Sequence, residues 1–362
     1  MSLKPKSSVS PEKFDSRIDS LRGLAFMVVF VCHFSYLNQS LEAVYYFAPY
    51  GVVLFFCLTG FLLGRICLRE MELTGTLRIY SFLLRRLLRT LPLYILFLFL
   101  ILILSLFSLY FGNGALVISK GEWIHLMTSS YNFVSLSGTK TSPLPAVTWS
   151  LSIEEQIYLI FPFLVYFFGR YRSATVSLFL ISIIFSMLFV FVVPLNDVVI
   201  GRLTTTFLIP TTVGLFIAQI ESQFRSVTFG LLRYFIFALL IASGLLFVAL
   251  HNESDFDYLL NVIIVSLIFP LIYLILTKIR MSFLLVGLAK VGRISYGCYL
   301  YHWLYWNLLQ MGSSLFSPTD GFSLFGVLFG FIMTLITASI SYWFFEKRFL
   351  LIRQRYQIVS TF

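Results

Sequence analysis

Charge is what this chain is short of. Only 12% of its 362 residues are charged, against 59% that are hydrophobic, and the mean hydropathy is +0.92. Such a composition excludes an ordinary soluble fold, because too few polar side chains remain to cover a surface. Cysteine is sparse as well: Cys32, Cys57, Cys67 and Cys298 lie in or beside apolar runs with no paired spacing. That argues against a disulfide framework and against a metal knot, so no metal site is expected. The polar start, with Lys4, Lys6 and Lys13, is not followed by a small-residue cleavage pattern, and the first apolar run is read as a retained helix. The longest stretch without a spanning candidate, about 112 to 148, is too short to bury a soluble core of its own.

What the chain has in abundance is long apolar segments. Ten candidate spans are read at about 22–38, 50–68, 91–111, 149–168, 173–193, 203–220, 231–250, 257–277, 294–311 and 322–345. The fold class expected is therefore all-α, a polytopic membrane helical bundle of about ten transmembrane helices. If the amino terminus is cytoplasmic, all but Lys120, Lys140 and Arg202 of the 26 basic residues fall on the cytoplasmic side, which predicts both termini inside. The formal charge of +10 then follows from insertion polarity, and no nucleic-acid partner is called for. The boundaries expected are a cytoplasmic amino-terminal segment at 1–21, a transmembrane domain at 22–346 and a cytoplasmic tail at 347–362. Pro210 and Pro270, inside apolar segments, predict kinked or broken helices.

Against so apolar a background, ionisable residues inside the spans stand out. In FDSRIDSLRGLAFMVVFVCHF at 14–34, Arg22 opens the apolar run and His33 follows eleven positions later. That offset is roughly 16 Å along a helix, about half of a hydrocarbon core near 30 Å thick. An ionisable group at mid-depth costs roughly 2.5–3.5 kcal/mol when charged, so a functional role is the default reading. Segment TWSLSIEEQIYLIFP at 148–162 carries adjacent carboxylates: Glu154 shares a face with Tyr158 at i, i+4, while Glu155 points about 100° away. Glu154 enters from the outer side at a depth of roughly 7.5 Å, close enough to the level of His33 for the two to share a cavity. In FLLRRLLRTLPLY at 82–94, Arg85, Arg86 and Arg89 form a guanidinium cluster at helical spacing. Two readings remain open for it, insertion-directing charge in contact with anionic lipid and a site for phosphate groups.

Elsewhere the bland reading prevails. Thr59, Gly60 and Gly64 suit close helix packing. Trp123, Tyr131 and Phe133 in the outer connection suit an interfacial belt or a platform for a sugar face, and His125 a surface group. In GRISYGCYLYHW at 292–303, His302 reaches about the depth of His33 and is read as a satisfied core histidine.

Five blocks together resemble the integral-membrane acyltransferase family three, which contains bacterial O-acetyltransferases of polysaccharides and lipids. They are Arg22 and His33 at the family's spacing with Asp19 ahead of them, and YGVVLFFCLTGF at 50–61. Arg86 and Arg89 follow as Arg-x-x-Arg, then TWSLSIEEQIY at 148–158, and last Ser295, Tyr296, Tyr299, Leu300 and His302. Val53 stands where many members carry Asp, Thr59 where Ser is frequent, and Arg348 where Pro is common after the closing Glu-Lys. No esterase-like domain of the kind some members fuse is expected after this ending. The resemblance implies an O-acyltransferase in the bacterial cytoplasmic (inner) membrane. It implies acyl-CoA, usually acetyl-CoA, as the donor substrate with no bound cofactor, and an envelope sugar or glycolipid such as O-antigen of lipopolysaccharide as acceptor. Arg22, Arg86 and Arg89 would bind the donor phosphates and His33 act as general base, or accept the acyl group and pass it on. Glu154 would stabilise its imidazolium, and Tyr158 orient the pair or donate to the oxyanion. Asp19, Arg85, Glu155, Ser295, Tyr299 and His302 are weaker candidates. A transporter or exporter of a small anionic or acylated molecule is the other class to which buried charges and kinked spans point.

Overall fold

A computed structural model of the chain describes residues 15–35, 48–111, 114–137, 141–192, 200–226, 255–316 and 324–356. Every regular element among them is helical. The order is α1 (Ser16–Ser35), α2 (Ala48–Thr74), α3 (Ile79–Phe111), a short α4 (Lys120–Met127) and a 3-10 turn (Tyr131–Ser137). Then come α5 (Thr148–Phe168), α6 (Arg172–Val192), a 3-10 turn (Ile200–Arg202), α7 (Thr204–Ser226) and α8 (Asp255–Lys278). The remainder is α9 (Phe283–Arg293), α10 (Ser295–Phe316), α11 (Leu324–Ser341), a π turn (Tyr342–Glu346) and α12 (Lys347–Gln354).

Six of the described helical stretches are long and apolar enough to cross a bilayer, and a seventh arises if α9 and α10 count as one span bent by 78°. This is a multi-pass membrane protein. The count is lower than the ten read from the sequence for two reasons. The span expected at 231–250 lies outside the described residues, and α1 and α7 are not among the six. Polar residues such as Asp19, Arg22, Thr211 and Gln219 dilute those two helices, yet both are packed deep in the bundle. Proline does not break the helices where the sequence suggests it. α7 and α8 run uninterrupted through Pro210 and Pro270, and the sharp bend falls at Ile294, away from any proline.

Side-chain size decides which helices pack at the centre. α2 is the most buried of the long spans and α6 the least, its Leu180, Ile184, Phe185 and Leu188 being turned outward as lipid would require. α2 and α7 approach backbone to backbone: a Cβ on Gly60 would collide with the carbonyl of Thr211, and one on Gly214 with that of Cys57. In a bilayer, where the hydrophobic effect does not drive helices together, such close packing of small residues helps to hold them. α1 and α9 meet in the same way through Gly23 against Leu288 and Gly292 against Asp19. α3 is about 50 Å long by its 33 residues, well beyond a roughly 30 Å core, so it must tilt or extend past the apolar layer.

The segment between α3 and α5 is organised by Glu122, which is 5% exposed. Its carboxylate accepts hydrogen bonds from the Ser119 N–H (2.9 Å), the Ser142 N–H (2.8 Å) and the Tyr131 hydroxyl (3.1 Å). Ser119 closes a capping box with Glu122 at the start of α4. Burial, reinforced by the Glu122 carboxylate, pushes the Tyr131 phenol well above its ordinary pKa, so it stays a hydrogen-bond donor.

Candidate active site

Where α1, α2, α3, α5 and α10 converge they line a partly open cavity of about 80 Å³. Its wall carries Arg22 from α1, Thr59 from α2, Arg86, Arg89 and Thr90 from α3, Ser150, Glu154 and Tyr158 from α5, and Ser295, Tyr296 and Tyr299 from α10. Val52, Phe55, Phe56, Leu58, Leu62, Leu63 and Leu151 supply the apolar part. Residues more than 270 positions apart in the chain thus meet in one chamber.

The cationic side is undercompensated. Arg22 is 3.7 Å from Asp19, which also lies 3.5 Å from Arg293, so Asp19 ties Arg22 to the end of α9 from outside the cavity. Arg86 lies over the rings of Phe82 and Tyr158, at 5.7 and 5.8 Å, and its buried Nε has no hydrogen-bond partner. Among the described residues neither Arg86 nor Arg89 has a carboxylate within ion-pair distance. A buried guanidinium without a counter-charge is costly unless a ligand supplies one.

Glu154 provides the negative group in the cavity wall. Its Oε1 accepts from the Tyr158 hydroxyl one helical turn on, and from Thr59 Oγ1 at 3.4 Å. Glu155 faces elsewhere, as the helical angle between neighbours requires, and accepts from Thr90 Oγ1 at 2.6 Å. The carbonyl of Thr90 accepts in turn from the Tyr296 hydroxyl at 3.1 Å.

The arginine cluster predicted from the sequence is divided. Arg85 does not line the cavity: it is 8% exposed, donates to Glu70 at 3.1 Å and to the carbonyl of Tyr356 at 2.8 Å, and so fastens α3 to α2 and to the end of α12. Consecutive residues on a helix point about 100° apart, which sends Arg85 to one side and Arg86 to the other.

His33 and Glu154, expected in one chamber, are not in one wall, since the cavity lining includes neither His33 nor His302. The two imidazoles are partners instead, Nδ1 of His33 and Nε2 of His302 lying 3.0 Å apart with the rings stacked at 5.2 Å. Trp303 stands against His33 at 5.1 Å and is held by its indole N–H on the Pro143 carbonyl, 2.6 Å away. Tyr299 touches both regions: its hydroxyl is 2.6 Å from Ser150 Oγ, its ring lines the cavity, and that ring lies 5.5 Å from the ring of His302.

Several cavity residues carry no distinctive sequence signal. Thr59 reads as a packing residue, whereas its hydroxyl reaches Glu154. Thr90, Ser150 and Tyr296 are common residue types. Their place next to Arg89, in TWSLS and in GRISYG is the one hint they offer. His125 is engaged locally, 2.8 Å from Ser130 Oγ.

These features define a class: a multi-pass membrane protein with a half-apolar chamber that is cationic on one side and holds a carboxylate–phenol pair on another. Residues 15–345 match the family model described as an acyltransferase domain, and the chain belongs to that family. Among curated proteins it is similar to the peptidoglycan O-acetyltransferase OatA of Listeria monocytogenes, 32% identical over 158 residues, covering 41% of this chain and 24% of that protein. It is also similar to the O-acetyltransferase OatA of Staphylococcus aureus, 29% identical over 177 residues, which are 46% of this chain and 28% of that protein. The chain thus spans about a quarter of the length of the relatives it matches. No solved structure matches it.

Proposed function

We propose that this protein is an O-acetyltransferase of a bacterial cytoplasmic membrane, moving an acetyl group from cytoplasmic acyl-CoA to a hydroxyl of an envelope sugar. Both termini are cytoplasmic in this reading, with segments 1–21 and 347–362 flanking a catalytic unit at 22–346. The observation that carries it is the convergence of Arg22, Arg86 and Arg89 on one cavity with Glu154 and Tyr158. Guanidinium groups match phosphate oxygens in a planar fork, and coenzyme A offers several phosphates to Arg86 and Arg89, which among the described residues have no carboxylate within ion-pair distance. The thioester arm follows the apolar wall of Val52, Phe55 and Leu62 toward Tyr299.

His33 removes the acceptor hydroxyl proton as the oxygen attacks the thioester carbonyl. The C–S bond breaks, and the sulfur leaves as a thiol with the proton that His33 returns. Transfer through an acyl-His33 intermediate needs the same residue and the same donor anchor. Glu154 acts at the donor end rather than on His33, because Tyr158 and Thr59 hold it there. Family membership favours this chemistry over export of a small anionic molecule. The name of the Listeria relative favours a peptidoglycan sugar as acceptor ahead of O-antigen.

The test is transfer of labelled acetyl from acetyl-CoA, with release of CoA, in membranes containing the protein, using peptidoglycan fragments and O-antigen as separate acceptors. A correctly inserted His33→Ala protein should be inactive, and full activity in it refutes the reading.

A further inference from the structure

The histidine pair specifies where its protons are. Nδ1 of His302 lies 3.2 Å from the carbonyl oxygen of Cys298, one helical turn back. A carbonyl oxygen can only accept, so that nitrogen carries a hydrogen. His302 is fully buried, at 0% exposure, the rings packed around it are those of Phe26, His33, Tyr299 and Trp303, and among the described residues no carboxylate lies within hydrogen-bond or ion-pair distance of it. Such a site opposes the imidazolium form, so with Nδ1 protonated Nε2 keeps its lone pair. Nε2 is the atom 3.0 Å from Nδ1 of His33, and the hydrogen in that contact must therefore come from His33. His33 is then the Nδ1–H tautomer, and its Nε2 is unprotonated. Among the described residues that Nε2 has no hydrogen-bond partner.

We propose that His302 is a positioning residue that holds His33 in the tautomer whose Nε2 can take a proton, the part a carboxylate plays in hydrolase triads. This rests on the reading of His33 as the catalytic base. The whole assembly is built to hold that orientation. The indole N–H of Trp306 donates to the carbonyl of His33 at 3.2 Å, and Trp303 packs flat on Trp306 at 4.4 Å and edge-on to His33. When Nε2 of His33 takes the acceptor's hydroxyl proton, its Nδ1–H remains bonded to His302. The positive charge is shared across a 3.0 Å contact and is not confined to one buried ring. The acceptor oxygen forms its bond to the acyl carbon, the thioester C–S bond breaks, and the proton on Nε2 passes to the sulfur. His302 makes and breaks no bond to substrate.

The test compares His302→Gln, whose side-chain oxygen can accept from His33 Nδ1, with His302→Leu, which cannot. Both are assayed for acetyl transfer in membranes, and the His33 tautomer is read by solid-state NMR of 15N-histidine-labelled protein in lipid. The expected result is a fall in kcat of about 100-fold for His302→Leu with donor KM unchanged, and recovery to within about tenfold of wild type for His302→Gln. His33 should be the Nδ1–H tautomer in wild type and in His302→Gln. Equal loss in both variants, or wild-type kcat in His302→Leu, overturns the proposal. So does an Nε2–H tautomer of His33 in the wild-type protein, a measurement that needs no variant to fold. An Nε2–H signal together with an inactive His33→Ala protein overturns the role of His302 alone. An Nδ1–H signal with an active His33→Ala protein overturns the catalytic reading on which that role rests.

Discussion

Two neighbouring arginines should fail in opposite ways when replaced. Arg85 is bonded to a Glu70 carboxylate that is 1% exposed, and Glu70 also accepts the Arg78 N–H at 2.9 Å. Removing one member of a buried pair leaves the other charge stranded, at about 3–5 kcal/mol. Arg85→Ala additionally frees the Tyr356 carbonyl, so the end of α12 loses its bond to α3. Arg86→Gln strands no partner. It gives up two cation–π contacts worth about 0.5–1 kcal/mol each and removes a charge with no carboxylate within ion-pair distance among the described residues, so net stability should move by about 1 kcal/mol or less. If Arg86 grips a donor phosphate, the lost charge-assisted hydrogen bond is worth about 1.5–3 kcal/mol, a rise of about 10- to 150-fold in donor KM. The assay is thermal denaturation of detergent-solubilised protein, with donor KM measured on the folded fraction. Arg85→Ala should melt on the order of 5–10 °C lower with donor KM unchanged, and Arg86→Gln should show the reverse pattern. Equal destabilisation of the two proteins, or an unchanged donor KM in Arg86→Gln, would refute the division of the arginines between scaffold and cavity.

Other outcomes follow from single contacts. Glu122→Ala orphans the Tyr131 hydroxyl and the Ser119 and Ser142 N–H groups at about 1–3 kcal/mol for each that stays buried, so limited proteolysis should open the 114–147 segment; wild-type protection there would show that Glu122 does not organise it. Gly60→Leu drives a side chain into the Thr211 backbone and should lower the monodisperse fraction on size exclusion, whereas a wild-type profile would mean that α2 and α7 do not pack as described. Thr90→Val removes the 2.6 Å donor to Glu155 and should cost about 1–3 kcal/mol in thermal stability; no change would mean that Glu155 has another partner.

Much of the fold is legible in one dimension because lipid imposes a simple rule: a spanning segment must be apolar and satisfy its own backbone. Long runs such as Ile79–Phe111 show it plainly. The same rule reads α1 and α7 as spans, although they carry polar residues whose partners a hydropathy profile cannot see, as when Asp19 meets Arg22 and Arg293. Among the described residues the sharp bend found lies at Ile294, where α9 turns to lie on α1 through glycine contacts, and not at a proline.

The sequence by itself determined the kind of molecule and the chemistry at hand: a helical membrane protein with arginines, a carboxylate–tyrosine pair and histidines where ionisable groups are expensive. Composition and periodicity are local, and a buried charge announces itself by its cost wherever it occurs. Which groups face one another was decided only by the tertiary structure. Register and rotation of packed helices separated Arg85 from Arg86, gave Glu154 to Tyr158 and Thr59, and matched His33 with a histidine 269 residues away. Rotating a helix by one residue turns a side chain about 100°, and no property of the chain taken one segment at a time contains that angle.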